Sequence, residues 1–374
     1  MTFTCDRDIL FEAINTVIKT IPVKSAVPIL EGVYLETCTD GTIKLIGSDT
    51  DISTETYFEG ENVPENDKMV LPAKKFFEMV GKMGSGTVYF NYEPKKILHL
   101  SCGVVKYDLP VLDADNYPVT PLVEKKEKIL IEKSVFADIV KKTIFSVAQN
   151  DAKPILKGVL FDIEGNSITS VTSDQFRLSI SKKVFNNESG NSFSVVVPGK
   201  TLSDLIKIMK PDEGEIIINC ASTHVLFEFD NVKVTSKLLA GEFSNYKNVM
   251  PKNFKTEVTL NTSDFRRVLE RASVLTNEKI KNPVKLSLEE NTVIVSCRTP
   301  EGMSFLDEAA AQTTGERFEI GFNDRFLIDV LGVIEEDELT LYMNSPVSPA
   351  CIRPVGNVND VFLVSPIKIR NNDN

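Results

Sequence analysis

Residues 154–178 read PILKGVLFDIEGNSITSVTSDQFRL. Their opening, Pro154-Ile155-Leu156-Lys157-Gly158-Val159, repeats Pro28-Ile29-Leu30-Glu31-Gly32-Val33. A weaker third echo begins at Asn282-Pro283-Val284. Self-similarity at a long fixed period means one structural unit used several times. The surrounding chain repeats with it. Val70-Leu71-Pro72-Ala73-Lys74-Lys75 matches Val196-Val197-Pro198-Gly199-Lys200-Thr201, and Ile320-Gly321-Phe322-Asn323-Asp324-Arg325 is a divergent third copy. Farther on, Asp113-Ala114-Asp115-Asn116-Tyr117 matches Glu242-Phe243-Ser244-Asn245-Tyr246.

Apolar periodicity and turn residues divide each copy into two strand–helix–three-strand units. Helices are expected over Asp6–Lys19 (capped by Asp6 or Asp8), Ala73–Met83, Ser134–Val147, Gly199–Lys210, Ser263–Leu275 and Asn323–Ile334. The fold class is α+β, three tandem copies of one domain over residues 1–124, 125–252 and 253–374.

Apolar residues make up 42% of the 374 positions and charged residues 25%, which suits several packed cores and excludes wholesale disorder. The six cysteines are scattered with no close pair, so neither a zinc cluster nor a disulfide framework is expected, and a reducing cytoplasm is. The N-terminus lacks a signal-peptide pattern, and no apolar run could span a bilayer.

Enzyme signatures fail on inspection. Gly199-Lys200-Thr201 sits between a strand and a helix, but position 194 is Ser where a phosphate loop needs Gly. Gly81, Gly84 and Gly86 follow a helix, the wrong order for a dinucleotide fingerprint. The two histidines, His99 and His224, have no metal-ligand spacing and no nucleophile beside them. No catalytic residue, metal or cofactor is expected.

The net charge is −11, yet the six expected helices together are slightly basic, so strands and loops are the more acidic part. If the helices share a face, that face suits a polyanion. Lysine-rich helices also serve solubility alone, and charge does not decide between the two. There is no Trp and no basic run interleaved with aromatics, so any DNA contact would go to phosphates without sequence preference.

Several local patterns, in order on a triplicated chain, resemble the bacterial sliding clamp family, the beta subunit of DNA polymerase III. Ser173-Asp174-Gln175-Phe176-Arg177-Leu178 is similar to the family's Thr-Asp-Gly-His-Arg-Leu. Gly241-Glu242-Phe243-Ser244-Asn245-Tyr246 with Met250-Pro251 is similar to its interdomain loop, and Thr276-Asn277-Glu278-Lys279 to its Ser-Asn-Glu-Lys. Phe362-Leu363-Val364-Ser365-Pro366-Ile367-Lys368-Ile369 is similar to its Met-Pro-Met-Arg-Leu ending.

The resemblance implies a head-to-tail homodimer closed into a ring, helices inside and sheets outside, around non-specifically bound double-stranded DNA. It implies a non-catalytic processivity subunit in the cytoplasm. The replicative polymerase subunit, the clamp loader, other polymerases and repair proteins would reach it through a short peptide. The peptide pocket would comprise Leu156, Ser173, Asp174, Phe176, Arg177, Leu178, Val249, Asn323, Phe326, Val347, Leu363, Val364, Pro366 and Ile367, the last strand pairing with the peptide's backbone. Without the resemblance, the same residues read first as core at a domain seam, and only second as a pocket. Phosphate contacts would come from Lys24 and Asn150, which match loop positions of the family. Helix charge adds Lys74, Lys75, Lys141, Lys142, Lys200, Arg266 and Arg267. The dimer seam would set Val274 and Leu275 against Val104, Val105 and Tyr107.

The sequence departs from the family at four places. Gln175 stands where Gly is usual, Ser244 where Pro is frequent and Asn248 where Arg is common, and Arg370–Asn374 extends past the usual end. The competing reading is a triplicated, non-enzymatic scaffold that binds only proteins. A closed dimer in solution separates the first from the second.

Overall fold

The computed structural model describes residues 2–93, 97–118, 120–121, 123–124, 126–150, 152–185, 190, 192–210, 213–251, 253–276 and 283–369. Asn277–Lys279, Asn282 and Arg370–Asn374, quoted above, lie outside the described residues.

Six helices form where periodicity places them, each somewhat shorter than expected. They are α1 (Arg7–Val17), α2 (Ala73–Lys82), α3 (Lys133–Lys141), α4 (Gly199–Ile208), α5 (Thr262–Ala272) and α6 (Asp324–Leu331). Asp6, not Asp8, caps α1, its carboxylate accepting from the Asp8 and Ile9 amides. Leu10, Ala13, Ile14 and Val17 form the buried stripe of α1, and Phe265, Val268, Leu269 and Ala272 that of α5.

The largest correction is at α3, which stops at Lys141 rather than Val147. The Thr143 hydroxyl turns back to the Ile139 carbonyl at 3.0 Å, and the Thr172 hydroxyl donates to the Thr143 carbonyl at 2.6 Å. Side-chain hydroxyls that capture backbone carbonyls compete with the helical ladder. The chain leaves in a 3-10 turn, Ile144–Ser146. In the third copy one strand is long, Ser304–Gly315.

The chain packs as two compact units, residues 1–134 with 200–238, and 135–199 with 239–374, so the cut passes through the middle copy. Hydrogen bonding across copies explains this. In the first unit an eight-stranded antiparallel sheet joins Ile52–Glu59 of the first copy to Val232–Lys237 of the second. In the second unit a twelve-stranded sheet joins Arg177–Val184 of the second copy to Asp360–Val364 of the third. The first copy's other sheet has four strands, Thr2–Asp6, Thr87–Glu93, Ile97–Cys102 and, at its edge, Val105–Pro110.

The motif that revealed the repeat has the same shape twice. Pro28–Glu31 and Pro154–Lys157 are 3-10 turns, and each glycine that follows starts a strand. A Cβ on Gly32 or Gly158 would strike the side chain of Val70 or Val196 on the adjacent strand. Gly199-Lys200-Thr201 opens α4, and Thr201 is buried against the Ser236 hydroxyl at 2.7 Å.

Candidate functional site

The turn Ser173–Arg177 is built by its own side chains. Asp174 Oδ1 accepts from the Phe176 and Arg177 amides, both at 3.0 Å, and Ser173 Oγ accepts from Gln175 and donates to the Arg177 carbonyl. Gln175 is held at φ +79°, the region glycine prefers. The first copy makes the same turn. Asp49 Oδ1 accepts from Asp51 and Ile52, Ser48 Oγ donates to the Ile52 carbonyl, and Thr50 has φ +85°. The backbone here follows its sibling. The departure lies in the side chains, where Phe176 and Arg177 replace Asp51 and Ile52.

Arg177 is the organising charge. Its Nε meets Asp174 at 2.9 Å, one Nη meets Asp329 of α6 at 2.6 Å, and the other donates to the Phe145 carbonyl at 2.7 Å. The guanidinium lies over the Phe326 ring at 4.4 Å and near Phe145 at 5.5 Å. All three guanidinium nitrogens are engaged, so the ion ties the second copy to the third.

Beside it is a cavity of about 220 Å³. Of the expected residues, Leu156, Ser173, Phe176, Arg177, Leu178, Val249 and Leu363 line it, with Phe176 60% exposed at the rim. The other seven do not. Asp174 and Phe326 support Arg177, and Asn323 caps α6 through the Arg325 amide. Val347 is exposed, near the lining Pro349. Val364 is fully buried in the third-copy core. Pro366 and Ile367 are half-buried, Ile367 donating its amide to the Gly321 carbonyl.

The expectation that the last strand pairs with a peptide is overturned. Asp360–Val364 bonds to Arg177–Val184 on one side and Ala350–Pro354 on the other, so both edges are occupied.

One wall was missed in the sequence. The loop before the third copy supplies Phe243, Ser244 and Tyr246 as well as Val249. Tyr246 donates to Asp162 at 3.0 Å, and Lys247 meets Glu164 at 2.6 Å. Burial, and then Asp162, push the Tyr246 phenol up to about 12. Lys247 holds the Glu164 carboxyl below its ordinary range. The available signal was the repeat itself, in which Phe243 stands where the first copy has Ala114.

Among the expected phosphate contacts Lys142 is a correction. It is buried, its ammonium 2.6 Å from Asp360, which Ser181 and Asn357 also contact. Burial alone would lower its pKa, but the hydrogen bond and charge of Asp360 outweigh that and raise it. The others are exposed. Lys75 pairs with Glu78, Lys141 with Glu335, Lys200 with Asp49, Arg266 with Glu270 and Arg267 with Asp264. Lys24 and Lys74 have no recorded ion-pair partner among the described residues, and Asn150 accepts from the Ala152 amide. Exposed pairs like these are weak, so an incoming phosphate competes readily with the carboxylates. The sequence reading missed a lysine cluster in the first unit. Lys19 donates to the Lys207 carbonyl at 2.6 Å, and burial, then the Lys210 and Lys207 charges, depress its pKa.

The expected seam residues are surface groups. Val104 is 97% and Val274 81% exposed, while Val105, Tyr107 and Leu275 lean on their own cores. Among the described residues each unit has an open strand edge: Val105–Pro110, outermost in its sheet, and residues 304–310, which pair with Thr292–Arg298 alone. Leu306, 75% exposed on that second edge, was missed in the sequence.

Among the described residues no group of His, Cys, Asp and Glu could hold a metal, and no helix is long and apolar enough to cross a membrane.

Comparison with known proteins matches three domain families in tandem, the DNA polymerase III beta subunit N-terminal domain over residues 1–121, central domain over 130–245 and C-terminal domain over 247–368. The chain is 30% identical to the Beta sliding clamp of Bacillus subtilis (strain 168) over 377 residues, covering 98% of this chain and 100% of that one. It is 32% identical to the Beta sliding clamp of Halalkalibacterium halodurans over 379 residues, with coverage of 98% and 100%. Among solved structures it is similar to the DNA polymerase sliding clamp from Bacillus subtilis, with a TM-score of 0.95, 30% identity and coverage of 99% and 100%. It is also similar to a putative DNA polymerase III beta subunit from Eubacterium rectale, with a TM-score of 0.93, 29% identity and coverage of 98% and 99%.

Proposed function

This chain belongs to the DNA polymerase III beta subunit family, and on that premise we propose how its parts are used. It is a sliding clamp, a non-catalytic processivity factor in DNA replication. Two copies associate head to tail into a closed ring around duplex DNA. The scaffold reading, protein binding without encirclement, is not favoured.

The observation that carries this is the pair of open edges. At both joints within the chain, the strand after the Asp-led turn pairs with the last strand of the next copy's second unit. The third copy's equivalent is residues 304–310, and the corresponding last strand of a first copy is Val105–Pro110. Among the described residues both lack a partner on that side. Long open edges seek one. Val105 corresponds to Val232, each being the first residue after its hairpin. Carrying over the register of the first joint sets Ser304 opposite Asp108, Phe305 opposite Tyr107 and Leu306 opposite Lys106 in the first domain of the partner protomer. Val104 and Val274 would be covered with them.

DNA contact falls to Lys24, Lys74, Lys75, Lys141, Asn150, Lys200, Arg266 and Arg267, joined by Lys19, Lys207 and Lys210. Contact without base readout keeps affinity low and salt-dependent, while enclosure supplies retention. The cavity beside Arg177 takes an apolar anchor from a short peptide of the replicative polymerase subunit, clamp loader, other polymerases and repair proteins. The domain boundaries we adopt are 1–124, 125–252 and 253–374, and the compartment is the cytoplasm.

The test is retention on DNA. After loading, the protein should stay on nicked circular DNA and run off the same DNA once linearised. The substitution Leu306→Asp, which puts a charge into the seam, should shorten the dwell on circles. Equal retention on circular and linear DNA would overturn encirclement.

A further inference from the structure

The cavity wall supplied by the loop 241–251 is tied to the body by few polar bonds. Inside the loop, Asn245 caps the 3-10 turn Tyr246–Asn248, which fixes the turn's shape but not its position. Two side chains reach out from it to the strand Gly158–Glu164. Tyr246 donates to Asp162, and Lys247, whose ammonium also lies 5.7 Å from the Tyr246 ring centre, pairs with Glu164 at 2.6 Å and more loosely with Asp162 at 3.6 Å. Of the two, only Tyr246 also lines the cavity.

The first copy shows the same loop without that tie. Tyr117, the counterpart of Tyr246, is buried with Leu30, Ile46, Val70 and Ala114 and packs 5.2 Å from Tyr34. Leu160 replaces Tyr34 in the second copy, and Asp162 stands at the position of Glu36, which pairs with Lys44 instead. One tyrosine fills its site. The other is held half out of it, its hydroxyl on a carboxylate.

We propose that Tyr246 is a positioning residue for the partner pocket: its hydroxyl bond to Asp162 holds the loop wall outward and keeps the cavity open. This rests on the reading of that cavity as the partner-binding pocket. A hydroxyl donating to a carboxylate is stronger than a neutral pair. Without it the ring is free to settle inward over Leu156 and Leu178, as Tyr117 does beside Leu30.

The test uses the intact protein and the purified replicative DNA polymerase from the same cell as the binding probe. Tyr246→Phe and Asp162→Ala should each raise the polymerase Kd by about three- to tenfold. The double variant should be no worse than Asp162→Ala alone, because that change already removes the tyrosine's bond along with the looser Lys247 pair. Asp162→Asn keeps an acceptor oxygen and should restore binding to near the parent value, a rescue that general loosening would not produce. Leu178→Ala is the control on the pocket. If Leu178→Ala weakens binding and Tyr246→Phe does not, the positioning role is wrong and the pocket stands. If neither changes Kd in a folded protein, the pocket assignment falls and the positioning role with it. Additive losses in the double variant, or no rescue by Asp162→Asn, would also overturn the proposal.

Discussion

The two joints within the chain share a backbone and differ in what fills them. At the first, Asp49 closes the turn, Ile52 is buried, and Leu30, Ala114 and Tyr117 pack into a closed cluster. At the second, Asp174 closes an equivalent turn, but Arg177 replaces Ile52, Phe243 replaces Ala114, and Tyr246 is drawn aside to Asp162. The first joint is finished as core. The second has a cavity with an aromatic rim and largely buried ion pairs, whereas the pairs across the first joint, Lys200 with Asp49 and Lys237 with Asp51, use exposed lysines. A repeat can therefore fix where a site lies while a few substitutions decide whether there is one.

The sharpest way to break this comparison is at the buried ion pair that only the second joint has. Val232 occupies the first-joint position of Asp360, so no ion pair can form there. Lys142→Met would leave Asp360, 1% exposed, without its counter-ion. A loss of about 3–5 kcal/mol is expected, measured by urea unfolding. Replacing both partners, Lys142→Met with Asp360→Val, should recover most of it. A single variant as stable as the parent would mean that the joint does not depend on the pair.

Partner affinity comes next in size. Leu178→Ala removes an apolar lining group and should weaken polymerase binding by about 1–2 kcal/mol. Ile52→Ala makes a similar truncation at the first joint and should leave that affinity unchanged. Equal losses in titration calorimetry would mean that the two joints are not functionally distinct.

The smallest effect concerns what the joints share. Thr50 is β-branched at φ +85° and Gln175 is unbranched at φ +79°. Thr50→Gly should stabilise by about 0.5–1 kcal/mol and Gln175→Gly by less, read from the same unfolding curves. A reversed order would mean that the turns are strained for different reasons.

The repeat was legible because it is local. Pro28–Gly32 and Pro154–Gly158 each spell one turn and one close approach. The helices were legible from their apolar stripes, but not their ends, since the hydroxyls that stop α3 act through residues about a turn away or on another strand. The pocket's first wall was legible through the family likeness of Ser173–Leu178. Its chemistry was not, because Arg177 meets an aspartate 152 positions away. Lys142 could not be told from Lys141 in sequence, as adjacent lysines at a helix end differ only in which way they point. The loop wall was hidden by the match that found it: Tyr246 aligns with a tyrosine that is core.

The sheet that crosses from the second copy to the third also sets a clock on synthesis. Ser181 waits for Asp360, which enters the chain 179 residues later. At cellular rates of about 5–20 residues per second, that is roughly ten to thirty-five seconds. Throughout it Arg177–Val184, with Leu178 and Ile180 facing a neighbour not yet made, is an open edge on a nascent chain. Translation speed over roughly the second half of the message, and whatever shields that edge meanwhile, therefore bear on yield as directly as any contact in the finished fold.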